Sequence, residues 1–278
     1  MLFCAGIVLY NPDVLKLKKN LDAIFPQVKK IFIVDNGSDN FNEFSPLLKD
    51  YQNAELHCLN ENKGIAFAHN KICSLAEENK FDWALLLDQD SEVPQNIIQT
   101  YETYSDSSDI GMLCAKVVDR NFGELNYLAH KIENEFVQVC IASASAIKIS
   151  AWRNVGGFCN EMFIDSVDFD MCQSLLENNY KILKINKLSF FHEVGKSKVV
   201  TFRGKQYMIL NHAPVRYYYM IRNAFLLARR HHNLVRQVRL IIIRFFLVNK
   251  YETNRIEKNK MMLKGFFHGI IGKFGKYE

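Results

Sequence analysis

Short, continuously apolar runs alternate with amphipathic stretches along the N-terminal part of the chain. Phe3 to Leu9 has the unbroken apolar character of a strand buried on both faces. Asn11-Pro12 then offers an N-cap and a proline at the first helical position, and Val14, Leu17, Leu21, Ile24 and Phe25 recur at helical spacing. Ile31 to Val34 predicts a second strand, stopped by the turn formers Asp35-Asn36-Gly37-Ser38-Asp39. Glu55 to Leu59 predicts a third, followed by Asn60-Glu61-Asn62-Lys63-Gly64 and a helix carrying Ala68, Ile72, Leu75 and Ala76. Trp83 to Leu87 predicts the fourth. This alternation predicts an α/β fold with a mostly parallel central sheet flanked by helices.

The pattern then loosens. Asn96 to Tyr104 reads as a helix, Ile110 to Val118 as a strand, and the small apolar run Ala142 to Ile149 as a strand passing close to a ligand or another strand. Two further strands, Ile182 to Ile185 and Leu188 to Phe191, lead to His192-Glu193-Val194-Gly195. From Ala224 to Val248 the chain is apolar but repeatedly interrupted by arginine, with Arg222, Arg229 and Arg236 spaced to share one stripe of a long helix. Leu240 to Leu247 is too short and too charged to span a bilayer. The expected organisation is a nucleotide-binding and catalytic domain over 1–212 and a basic amphipathic helical region over 213–278.

Polar residues gather where the apolar runs end. Tyr10-Asn11, Asp35-Asn36, Asn62-Lys63 and Asp88-Gln89-Asp90 each follow a predicted strand, and open α/β sheets bind ligands outside the carboxyl ends of their strands. Asp88 and Asp90 repel each other unless a positive charge lies beside them, so a divalent metal with oxygen ligands, Mg²⁺ or Mn²⁺ carrying phosphate, is their natural partner. No GxGxxG follows the first strand and no GxxxxGK[ST] occurs, which disfavours a dinucleotide site and a P-loop.

Composition narrows the class. With 278 residues, 49% of them hydrophobic, the chain can bury a large core and is not disordered. Seven scattered cysteines without a CxxC pair predict neither a disulfide framework nor a zinc site, and point to a reducing cytoplasm. The apolar start, lacking a basic leader and a small-residue cleavage site, does not read as a signal peptide. Charge is divided: residues 1–195 carry 17 basic and 27 acidic side chains, a net −10, whereas residues 196–278 carry 18 and 3, a net +15. An acidic body can hold a metal, and a basic tail can meet an anionic membrane face, a phosphate-bearing ligand or a nucleic acid.

The order of motifs resembles the family 2 glycosyltransferases of GT-A fold, most closely bacterial rhamnosyltransferases. The resemblance rests on Asp88-Gln89-Asp90-Ser91, on Phe163-Ile164-Asp165-Ser166-Val167-Asp168, on His192 to Gly195, and on Pro214-Val215-Arg216-Tyr217-Tyr218 leading to Arg222-Asn223. It covers nearly the whole chain and implies a GT-A, Rossmann-like sheet with a helical basic C-terminal extension. It implies a metal-dependent inverting transfer of a sugar, rhamnose from dTDP-rhamnose, to a cell-surface polysaccharide or lipid-linked saccharide acceptor. Asp90, Asp88 and His192 would serve Mg²⁺ or Mn²⁺, with Asp88 and Gln89 also next to the nucleotide. Asp35 would accept the N3–H of the pyrimidine, Tyr10 would stack on it, and Lys63, Gly64 and Asn70 would pass close to the nucleotide. Arg216 and Arg222 would grip diphosphate oxygens. Asp168 is the first candidate base. The chain departs from the family pattern at Val167 and at Gln173-Ser174, where an acidic residue and an arginine are common, so Asp165 stays a rival. A helix beginning at this segment would put Asp165 and Asp168 on one face. The implied location is the cytoplasm, peripheral to the inner membrane face through the basic region.

Three other readings compete. One is a UDP-hexose donor for the same reaction. A second is an aspartyl-phosphate phosphatase, which Glu92 disfavours because that site usually carries Thr or Val there. A third is a nucleic-acid-binding protein using the basic tail, disfavoured by the tail's many apolar residues.

Overall fold

The computed structural model describes residues 1–119, 123–124, 132–192, 198–202, 204–209 and 211–278. The chain forms two compact units, one of Met1–Cys159 with Asp168–His192 and one of Asn160–Val167 with the chain from Glu193 to Glu278. The division expected at 212 is thus redrawn, because contacts between distant segments, not composition, define the units.

The first unit opens with β1 (Phe3–Leu9), α1 (Val14–Ile24), β2 (Ile31–Asp35), a single turn α2 (Phe41–Phe44), β3 (Ala54–Cys58), α3 (Ile65–Glu78), β4 (Trp83–Asp88) and α4 (Ile97–Glu102). It continues with β5 (Ile110–Asp119), β6 (Gly123–Glu124), β7 (Asn134–Val137), β8 (Ser145–Lys148), α5 (Ile149–Asn154), α6 (Val167–Glu177) and β9 (Lys181–His192). Strand order is β3-β2-β1-β4-β8-β5-β9-β7, with β6 paired to β5. β1 to β4 are mutually parallel, β5 and β9 are parallel, and β8 and β7 run against their neighbours.

Side-chain alternation sets the layers. Ile7 and Leu9 of β1, with Ile31 and Ile33 of β2, pack on Leu17, Leu21 and Ile24 of α1. Gly6 faces the other way, where a Cβ would collide with Ile72, so glycine lets α3 lie close against the opposite face. Trp83, fully buried, stacks on Phe3 with centroids 5.8 Å apart.

Several local expectations change. Asp13, not Asn11, caps α1, accepting from Leu15 N and Lys16 N at 2.9 and 3.0 Å. Asn11 instead sits at φ +48° and accepts from Asp39 N at 2.7 Å. The strand expected over Ala142 to Ile149 shrinks to β8, since Ala144 is at φ +56° and Ile149 starts a helix. The two strands expected around Ile185 and Leu188 form one strand, β9, with a bulge that shifts its register against β5 between Ala115 and Lys116.

The second unit contains the hairpin β10 (Lys198–Phe202) and β11 (Lys205–Ile209), then α7 (Pro214–Arg230), α8 (Leu234–Tyr251) and α9 (Arg255–Ile271). Tyr217, Ile221 and Ala224 of α7 bury against Ile241 and Val248 of α8 and Met262 of α9. Arg222, Arg229 and Arg236 do not share one helix, because α7 ends at Arg230 and His231 to Asn233 turn the chain.

Candidate active site

The parallel strands end together. Leu9, Asp35 and Cys58 are in register across β1, β2 and β3, and Val8 is in register with Asp88 of β4. Apolar strands stop here because the next residues are turn formers whose side chains bond to backbone.

A polar lattice ties the loops to one another. Tyr10 N donates to Gln89 Oε1 at 2.9 Å and Asn11 N to Ser38 Oγ at 2.8 Å. Ser38 Oγ donates to Asp35 Oδ1 at 2.5 Å, with Ser38 N at 3.3 Å from both carboxylate oxygens. Asn36 Oδ1 accepts from Lys63 N at 2.9 Å while Asn36 Nδ2 donates to Asn62 Oδ1 at 3.1 Å, and Asn62 Oδ1 also receives Gly64 N at 3.0 Å. Gly37, at φ +81°, lies where a Cβ would press into the Glu61–Asn62 backbone, so this close approach of two loops requires glycine. Gly64 takes φ +89° immediately before α3.

Asp35 and Asn36 are almost fully buried, whereas Asp88, Gln89 and Asp90 are half-buried and Tyr10 is exposed. The carbonyl of Asp88 receives Asn20 Nδ2 at 2.6 Å and Ser91 N at 3.2 Å, and the Ser91 hydroxyl pairs with that of Ser143. These bonds hold the turn carrying the two carboxylates. Asn20 and Ser143 escape sequence reasoning: one is a lone polar residue in an apolar helix face, the other sits in a loop distant in sequence. The Cys58 thiol is pushed up by burial and, secondarily, by the Asp35 charge.

A divalent cation shared with phosphate needs hard oxygen donors, and Asp88 and Asp90 supply two carboxylates at the end of β4. Among the described residues no group of three or more His, Cys, Asp or Glu side chains could hold an ion by itself. The donor set therefore suits a cation that completes its shell with phosphate or water oxygens. His192 ends β9, its backbone in register with Asp119, while Glu193 to Gly195 of the same motif lie outside the described residues.

Asn70 spends its side-chain amide on protein partners. It accepts from Trp152 Nε1 and Phe158 N, at 2.9 and 2.8 Å, and donates to Phe158 O at 2.8 Å, bracketing the turn after α5. Neighbouring His69, buried against the Phe158 ring, is held neutral by desolvation, its pKa lowered to about 4.

The acidic segment is arranged differently from its expected helix. Phe163, Asp165 and Ser166 all have φ near the left-handed region, at 61, 63 and 65°, and α6 begins only at Val167. Asp165 therefore does not share a helical face with Asp168. In the second unit the Asp165 carboxylate receives Arg216 Nε and Nη2 at 2.7 and 2.6 Å, a bidentate pair. In the first unit Asp168 is a half-buried first-turn residue of α6.

Arg222 also departs from expectation. It is fully buried and donates to the carbonyls of Glu161 and Met162 at 3.0 and 2.9 Å, to Gly275 O, and to Asn223 Oδ1 at 3.0 and 2.8 Å. Asn223 Nδ2 donates to Met162 O, Ile164 O and Asp165 O at 3.0, 2.8 and 2.7 Å. With its donors committed to backbone carbonyls and to Asn223, Arg222 is a clamp on the acidic segment, not a phosphate grip. His212, close to Arg216 and Arg244, is kept from protonating first by burial and then by the Arg216 charge.

No family model matches the chain. The chain is 30% identical to the dTDP-rhamnosyl transferase RfbF of Shigella flexneri, over 98% of this chain and 96% of that protein. Among solved structures, S. aureus TarS is similar with a TM-score of 0.60 at 13% identity, covering 98% of this chain and 44% of TarS. A shorter TarS structure in complex with UDP-GlcNAc matches with a TM-score of 0.60 over 97% of this chain and 82% of that one. GalNAc-T7 with UDP, GalNAc and Mn²⁺ matches with a TM-score of 0.58 at 13% identity, covering 73% of this chain and 44% of GalNAc-T7. The chain thus spans less than half the length of GalNAc-T7 and of full TarS, and these likenesses show a GT-A fold.

Proposed function

Since the chain belongs to the glycosyltransferase family of the Shigella flexneri dTDP-rhamnosyl transferase RfbF, we propose that it moves a rhamnosyl group from a thymidine diphosphate donor, with inversion, to a hydroxyl of a cell-surface or lipid-linked glycan. Membership in that family sets aside the phosphatase and nucleic-acid readings. The observation that carries the reading is the rim of bonded loops where Asp35 and Asp88 end the two parallel strands that flank β1.

In this reading Asp35 accepts the pyrimidine N3–H, a group shared by thymine and uracil, and Tyr10 covers the ring. A UDP-hexose donor is the second reading for that reason. Asp90 and Asp88 would hold Mg²⁺ or Mn²⁺, and the cation would supply a Lewis acid for the charge growing on the leaving diphosphate. Asp168 takes the proton of the acceptor hydroxyl as its oxygen bonds to the anomeric carbon from the face opposite the diphosphate, and the diphosphate leaves with the bonding electron pair. Asp165, already engaged by Arg216, is the weaker candidate base, because both its oxygens accept from that guanidinium and would have to give up those bonds to meet an acceptor hydroxyl.

The test is nucleoside diphosphate release from a panel of nucleotide sugars with Mn²⁺ or Mg²⁺. Release from dTDP-rhamnose above all others is expected, with a loss of at least 100-fold in Asp90→Ala. Release unaffected by EDTA and by Asp90→Ala would overturn the metal role, and preference for a UDP-hexose would select the second reading.

A further inference from the structure

The last two helices bury one face and leave an apolar stripe on the other. On α8, Val235, Val238, Ile242 and Phe246 are between 40 and 85% exposed, and their spacing of three, four and four places them on one stripe. On α9, Ile256, Leu263, Phe267 and Ile270 are between 49 and 74% exposed and share a stripe for the same reason. The faces turned inward are already used, with Ile241, Val248 and Met262 packed on α7. Gly265 and Gly269 let α9 lie directly against the α7 backbone at Tyr218 and the Phe225 ring.

A polar pair shows that the stripes adjoin. Asn249 continues the α8 stripe three residues after Phe246, and Asn259 lies three residues after Ile256 on the α9 stripe. Their amides exchange two hydrogen bonds, at 3.1 and 2.8 Å. The two apolar stripes therefore run past each other on one side of the helix pair.

Charge identifies what covers them. α8 contains Arg236, Arg239, Arg244 and Lys250 and no acidic residue, and α9 exposes Arg255, Lys260 and Lys264 against Glu257, while its Lys258 is buried in a pair with Glu252. Lys250 Nζ lies over the Phe246 ring at 5.4 Å, an apolar stem ending in a cation at the margin of the stripe. A second copy of this surface would bring like charges together, and a nucleic acid has no use for eight exposed apolar side chains. A layer that offers anions outside and hydrocarbon beneath matches both features.

We propose that the exposed stripes of α8 and α9 form a docking surface for an anionic phospholipid leaflet, with Arg236, Arg239 and Lys250 at the headgroups and Val235, Ile242, Phe246, Leu263 and Phe267 entering the acyl boundary. No helix among the described residues is long and apolar enough to cross a membrane, so the helices lie along the surface. The surface extends the proposed function in one respect, since an acceptor carried on lipid is met at a membrane, but lipid binding is measured without donor or acceptor.

The test is flotation of the full chain with vesicles of phosphatidylglycerol and phosphatidylcholine or of phosphatidylcholine alone, with melting temperature and donor-induced thermal shift as folding controls. The expected result is at least tenfold stronger partition onto anionic vesicles, lost at least tenfold in Ile242→Glu/Phe267→Glu and several-fold in Arg236→Gln/Arg239→Gln, while the donor-induced shift is retained. Partition that neither pair of substitutions weakens would overturn the proposal. So would a concentration-dependent dimer that Ile242→Glu/Phe267→Glu dissolves in a chain that does not float. Retained vesicle binding in a chain that releases no nucleoside diphosphate would leave the surface standing and overturn only the transferase assignment.

Discussion

The strand-end rim of the first unit and the Arg222 clamp of the second are both lattices of buried polar groups, yet they do opposite things. Arg222 spends its guanidinium on four protein acceptors, so the lattice holds a loop and presents nothing. Asp35 carries the bonds of Ser38 on two oxygens that can together take about four hydrogens, at a loop mouth beside the half-buried Asp88 to Asp90 turn. A satisfied donor set reads as scaffold, and acceptor capacity at a strand end reads as a binding position.

The largest effect expected is at Asp168. Replacing it with Asn keeps the shape and removes the base, so transfer should fall about 10³-fold, about 4 kcal/mol of barrier, while the donor-induced thermal shift survives. Retained turnover would move the base to Asp165 and erase the distinction between the two carboxylates. Arg222→Leu tests the clamp: several carbonyls lose their donor at once, and urea unfolding should show a loss of about 3 kcal/mol or more. If instead the loss appeared in donor affinity with stability intact, Arg222 would belong to the ligand after all.

His69 sharpens the energetic side of the first unit. Its folded pKa of about 4 lies below the ordinary 6.5, so the unfolded chain takes up a proton first as pH falls. The stability difference is absent above about pH 6.5 and grows as pH drops to 4, reaching about 3 kcal/mol. Unfolding curves of His69→Leu should be flatter than the parent across that window, and parallel curves would show that His69 does not titrate on unfolding. The smallest expected effect is Asp35→Asn, which keeps acceptance from Ser38 but removes the charge. Donor affinity should weaken about tenfold, about 1.4 kcal/mol, in calorimetric titration, and an unchanged affinity would reduce Asp35 to a turn residue.

Much of this was legible because it is local. An unbroken apolar run ending in turn formers marks a buried strand and its exit, so β1, β2 and β4 and the residues at their ends follow from Phe3 to Leu9, Ile31 to Val34 and Trp83 to Leu87 alone. Helical spacing and the absence of acids likewise mark α8 as basic and amphipathic. Tertiary structure decided the rest. Arg222 and Arg216 are alike in sequence, six residues apart on α7, and only the path of residues 160–167 buries one and leaves the other paired with Asp165. Asn70 turned from a ligand candidate into a bracket because Trp152 and Phe158, some eighty residues on, fold onto it. The antiparallel course of β8 between β4 and β5 has the same cause. Periodicity records which face of an element is buried; the partner that a polar side chain finds there depends on segments far away in the chain.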